Sequence, residues 1–133
     1  MTKEYYTPRI EDFYVGFEFV LWLNNSYWSK PRVWDYKTTD SLKQIEQDIN
    51  NQQVKVKYLD KEDIESLSWH TEDNGECYNK TNAFDIYGLY PWEWNKGIQN
   101  QYKIILNDDT LFLGIIKNKS ELKVLLKQLN IHE

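Results

Sequence analysis

The chain holds one cysteine, Cys77, and two histidines, His70 and His132, so nucleophilic chemistry has few ways to be assembled. His70 beside Glu72 and Asp73 has the makings of a base and its orienting carboxylate, with Cys77 as a candidate nucleophile. The spacing matches no known catalytic arrangement, and the stretch is polar and irregular. An exposed histidine and an inert thiol are the expected state. A closed zinc site needs more cysteine and histidine ligands than are present. The glycines at 16, 75, 88, 97 and 114 build no phosphate-cradling loop, and H-E-x-x-H, C-x-x-C and G-x-S-x-G do not occur. Asp108-Asp109 is a carboxylate pair, but a turn before a strand uses the same residues. The sequence predicts no catalytic residue, no metal and no cofactor.

Binding chemistry is better represented. Tyr27, Trp28 and Trp34 surround Lys30 and Arg32, and Tyr87, Tyr90, Trp92 and Trp94 crowd a second stretch with Lys96. A chain of 133 residues cannot fully bury six tryptophans, each with a large ring and an N–H that needs a partner. Half-exposed rings beside cations serve base stacking, cation–π contacts and interfaces. Trp28, Lys30, Arg32, Trp92 and Trp94 are therefore the candidate ligand-binding residues, with Pro31 and Pro91 stiffening their loops. The competing expectation is that the same rings wall a small sheet.

Charge supplies a second surface. The net charge is −5, which argues against nonspecific nucleic-acid binding. Seven acids against Lys61 lie between Asp60 and Glu76, whereas the last seventeen residues carry four lysines against two acids. Glu62, Asp63, Glu65, Glu72 and Asp73 form a candidate acidic surface for a host protein. Glu62 and Asp63 also sit where the first turn of a helix favours negative charge, so the dipole accounts for them before any partner does. Fourteen of the sixteen basic residues are lysine, which suits a solvated face better than bidentate phosphate recognition.

The elements that must position these groups follow from periodicity. Tyr14 to Leu23 reads as a strand with Phe17, Phe19, Leu21 and Leu23 on one side. Asn24-Asn25-Ser26 is a turn, and Val33 to Lys37 a short second strand. Thr39-Asp40-Ser41 offers caps for a helix with Leu42, Ile45 and Ile49 on one face. Val54, Val56 and Tyr58 alternate with Lys55 and Lys57, a half-buried strand. Asp60 caps a helix over Lys61 to Ser68; Thr71 to Thr81 reads as irregular; Ala83 to Tyr90 is a strand ended by Pro91. Tyr102 to Leu106 and Thr110 to Ile116 make the clearest hairpin. Asn118-Lys119-Ser120-Glu121 opens a last helix striped with Leu122, Leu125, Leu126 and Leu129. The order implies an α+β fold: a small antiparallel, at most mixed, sheet with two to three helices on one face and the C-terminal helix in the core.

The composition, 41% hydrophobic and 16% aromatic, excludes a disordered chain. The length predicts a single domain over residues 1–133 with one core. No apolar run approaches the ~20 residues that span a bilayer, and Met1 to Ile10 lacks the hydrophobic segment of a signal peptide. No membrane association is expected, and the lone cysteine suits a reducing compartment.

Three segments, PRIEDFYVGFEF (Pro8 to Phe19), VKVKYLDKEDIESLSW (Val54 to Trp69) and TLFLGIIKNKSELKVLLKQLNI (Thr110 to Ile131), resemble a family of short phage and prophage proteins of Bacteroidetes-type bacteria. That family carries no assigned activity, so the resemblance transfers no functional residues. It implies a phage accessory protein in the cytoplasm of an infected cell. The expected function is non-catalytic binding that inhibits or sequesters a host defence component or its signalling nucleotide, with oligomerisation open. The alternatives are a small hydrolase acting on a nucleotide or nucleic acid, and a minor virion or assembly component.

Overall fold

The computed structural model describes residues 4–35, 42–72, 77–82, 85–92 and 99–131. The fold is α+β with antiparallel sheets, as the periodicity implies. The chain forms two compact units, Met1–Tyr58 and Leu59–Glu133, and among the described residues the strands divide into two sheets of five. Buried side chains likewise fall into two clusters.

In the first unit the strands are β1 (Tyr5–Tyr6), β2 (Glu18–Leu23), β3 (Tyr27–Trp28), β4 (Arg32–Val33) and β5 (Val54–Lys57), with α1 over Leu42–Asn50. The sheet runs β1-β5-β2-β3, and β4 also pairs with β2. β2 starts at Glu18, not at Tyr14 as its apolar run suggests. Gly16 turns the chain with φ +100, open to glycine at no steric cost, and the Phe17 N–H donates to the Tyr14 carbonyl at 2.9 Å. Phe17, Phe19 and Leu21 do bury together, with Trp34, Ile45, Val54 and Val56. Asn24 and Asn25 both have φ 52, the left-handed pair that a type I′ hairpin turn requires. Helix α1 buries Ile45 while Leu42 stays exposed; its proposed caps at 39–41 lie outside the described residues.

The second unit holds α2 (Lys61–Ser66), β6 (His70–Glu72), β7 (Cys77–Asn82), β8 (Asp85–Pro91), β9 (Gln101–Leu106), β10 (Asp109–Ile115) and α3 (Lys119–Gln128). Its sheet is a meander in the order β10-β9-β8-β7-β6. The stretch read as irregular contains most of β6 and most of β7. Its alternation is disguised because the inward positions are Tyr78 and Lys80, both buried. A buried lysine is tolerated there because its ammonium donates to the Leu67 carbonyl at 2.9 Å and lies 5.6 Å from the Trp69 ring centroid.

Both described caps are where the sequence puts them. Asp60 accepts the Asp63 N–H at 2.9 Å, and Asn118 accepts the Glu121 N–H at 2.8 Å. Helix α3 ends on Asn130 at φ 59, with the Ile131 N–H donating to the Leu126 carbonyl at 2.8 Å and the Asn130 N–H to the Lys127 carbonyl at 3.1 Å. These are the two bonds of a Schellman motif. Leu122, Leu126 and Ile131 are buried with Leu89 and Ile104, each contributing roughly 1.5–3 kcal/mol. The C-terminal helix is part of this core. Among the described residues no helix is long and apolar enough to cross a membrane.

Candidate functional site

The outward face of the first sheet is built by strand parity. Val54 and Val56 point into the core, so Lys55 and Lys57 point away from it. Lys55 lies opposite Val20, and Trp22 lies opposite Trp28. Strand β5 lies between β1 and β2, which lets the Lys55 ammonium meet rings on both sides. It stands 4.3 Å from the Tyr5 ring centroid and 4.1 Å from that of Trp28. Trp28 in turn packs edge-on against Trp22, centroids 5.4 Å apart at 62°. The result is a row of three rings and a cation on one sheet face. Cation–π contacts at such positions are worth about 0.5–1 kcal/mol each.

Lys30 and Arg32 follow directly. Ser29 anchors their turn: its hydroxyl accepts the Leu21 N–H at 2.9 Å and donates to the Lys30 carbonyl at 2.8 Å. Both cations are exposed, and among the described residues neither makes an ion pair. Trp34, grouped with them by sequence, belongs to the core at 8% exposure. Its indole N–H has no hydrogen-bond partner among the described residues.

Trp92 lies in the second unit, at the end of β8, 42% exposed. Its backbone N–H donates to the Gln101 carbonyl at 2.8 Å, and the Lys103 ammonium stands 4.7 Å from its ring centroid. Tyr90 lies opposite Lys103, which lies opposite Leu113. This gives the second sheet its own face of rings, cation and exposed aliphatics. Trp94, Lys96 and Asp73 are outside the described residues.

The acidic residues separate by burial. Glu62, Glu65 and Glu72 are exposed. Asp63 is buried, its backbone carbonyl accepting the Ser66 hydroxyl at 2.6 Å. Its charge acts inward: burial first, then Tyr78, Asp60 and Asp63, push the Tyr102 hydroxyl up to about 12. Tyr78 is raised too, by burial first and then by Glu65 and Asp60. Cys77 lies opposite Glu72 and His70 opposite Asn79. The Cys77 thiol donates to Glu72 Oε2 at 3.9 Å, and the Asn79 amide donates to Glu72 Oε1. Among the described residues no three His, Cys, Asp or Glu side chains converge to hold a metal.

Sequence reasoning missed Tyr5, Trp22, Lys55 and Lys103. The signal for Lys55 was present, since alternation already sets it on the face away from Val54 and Val56. What pairs it with Trp28 is strand order, which periodicity does not contain. Comparison with protein-family models, curated proteins and solved structures finds no match.

Proposed function

We propose that the protein is a non-catalytic binding module, a phage accessory protein that inhibits or sequesters a host defence component or its signalling nucleotide, the nucleotide being the ligand the geometry favours. The observation that carries this reading is the row of Tyr5, Lys55, Trp28 and Trp22 on one sheet face. Ring faces accept nucleobases by stacking, and cations beside them accept phosphates. Lys30 and Arg32 are exposed just after Trp28 in the chain, although Arg32 lies opposite Phe19, whose side chain faces the core. The acidic face of Glu62 and Glu65 is a separate surface, suited to a basic protein.

The test is calorimetric titration of the full chain with a panel of cyclic and linear bacterial signalling nucleotides, followed by chromatography of the recovered ligand. Recovery of an unaltered, saturably bound nucleotide is expected. Trp28→Ala should weaken it about five- to a hundredfold, from the 1–3 kcal/mol of a lost stacking ring. Affinity should fall as salt rises and screens the cations. Chemical turnover of the ligand would instead favour a hydrolase, and capture of a basic host protein lost on Glu62→Lys would move the site to α2.

A further inference from the structure

We propose a second binding site, for a small organic cation, in a cleft of about 380 Å³ on the outward face of the second sheet. It rests on observations separate from the aromatic row of the first unit. Its floor is Gly88, with Asn79 opposite on β7 and Ile105 opposite on β9. A Cβ at residue 88 would stand 2.7 Å from Tyr90 Cε2, 3.1 Å from the Tyr90 hydroxyl oxygen and 3.0 Å from Ile105 Cγ1. The Tyr90 ring therefore lies over the glycine and takes the space that a side chain there would fill, so the ring itself is part of the floor. Ile86, 60% exposed, continues the apolar side, while Glu72 and Asp108 lie on the polar lining.

The polar groups decide what fits. Among the described residues no Lys, Arg or His lines the cleft, whereas Glu72 and Asp108 do. Glu72 takes the Asn79 amide N–H and the Cys77 thiol. That fixes the Asn79 side chain with its carbonyl oxygen left to accept. The lining thus offers acceptors beside an apolar shelf and a tyrosine ring. Phosphate would meet two carboxylates there and, among the described residues, no cation. A ligand with an aliphatic body ending in a guanidinium or ammonium supplies N–H donors to the carboxylates and a cation to the Tyr90 ring. The volume lies within the range of small-molecule pockets, roughly 300–1,000 Å³.

The experiment uses the full chain with agmatine as probe and with AMP and the uncharged butyramide as controls. Agmatine should bind saturably, with amide shifts in a ¹⁵N-labelled sample centred on Glu72, Asn79, Gly88 and Ile105, and neither control should shift them. Glu72→Gln should weaken agmatine about ten- to a hundredfold, the effect of one lost charge-assisted hydrogen bond. Gly88→Val displaces the Tyr90 ring from its place over residue 88 and should abolish binding; if it fails to fold, the shift map of the unmodified chain still decides. Non-saturating agmatine titration, shifts elsewhere, binding indifferent to Glu72→Gln, or equal shifts from AMP would each overturn the site. Failure of nucleotide binding at Trp28 would leave these readouts unchanged, so the two proposals fail separately.

Discussion

The Lys55 ammonium lies 4.1 Å from the Trp28 ring centroid, although β2 separates their strands. The contact therefore depends on the sheet's order and not on neighbouring residues. It joins a predicted binding residue to a cation that the sequence reading left in the background. It also makes the role of Trp28 measurable apart from any ligand.

A double-mutant cycle of Trp28→Ala and Lys55→Met in urea should return a coupling of about 0.5–1 kcal/mol. Trp34→Ala, at a core position, should cost about 3–5 kcal/mol by itself. A Trp28→Ala loss as large as that of Trp34 would mark Trp28 as scaffold.

Leu126 is 3% exposed within the second core cluster. Leu126→Ala should cost about 2–5 kcal/mol through lost burial and the cavity left behind. Thermal melting monitored by circular dichroism checks it, and an unchanged midpoint would contradict the packing.

Stability should also fall in strong base. An unfolded tyrosine ionises near pH 10, whereas buried Tyr102 holds its proton to about 12. Between these values the native state binds more protons than the unfolded state, so stability drops as pH rises. The contribution is complete below the unfolded value and is lost as pH climbs toward 12, by an order of 2–3 kcal/mol. Urea midpoints across this window should fall steeply in the unmodified chain and less in Tyr102→Phe. Some slope should remain, because Tyr78 is raised as well.

Asn107 clamps the β9–β10 turn to the start of β8. Its carbonyl oxygen accepts the Ile86 N–H at 3.0 Å, its amide donates to Asp85 Oδ1 at 3.3 Å, and its φ is 47. Asn107→Gly keeps the left-handed backbone without strain but loses both bonds, at a cost of about 1–2 kcal/mol. Asn107→Val should cost more, since a β-branched residue resists positive φ. Chemical denaturation of the pair separates the two contributions.

Local chemistry was legible; long-range placement was not. The alternation of Val54 to Lys57 and the caps Asp60 and Asn118 appear as read, and the turn between the last two strands falls where the hairpin places it, one residue shorter because Asp109 joins β10; each depends on a few adjacent residues. The leucine stripe of α3 is right in position and graded in depth, with Leu122 and Leu126 buried and Leu125 and Leu129 half-buried. β6 and β7 were hidden because Lys80 points inward and looks like a solvated residue. Two sheets replaced the expected one because periodicity assigns faces without assigning partners. For the same reason Trp28 was singled out while Lys55, Tyr5 and Trp22, which complete its face, were not.

The two sheets also differ in how much chain must exist before they can close. The meander of the second unit pairs each strand with its sequence neighbour, so every pairing closes a short loop at small entropic expense. The first sheet joins Tyr5 to Lys57, almost the full span of its unit. During synthesis β1, whose partner is β5, must wait for β5 to leave the ribosome, while the later meander can add strands as they emerge. Local connectivity speeds folding, so pulse-labelled hydrogen exchange should find amides of β8 and β9 protected before those of β1 and β5. The half of the chain made first would then be the last to settle.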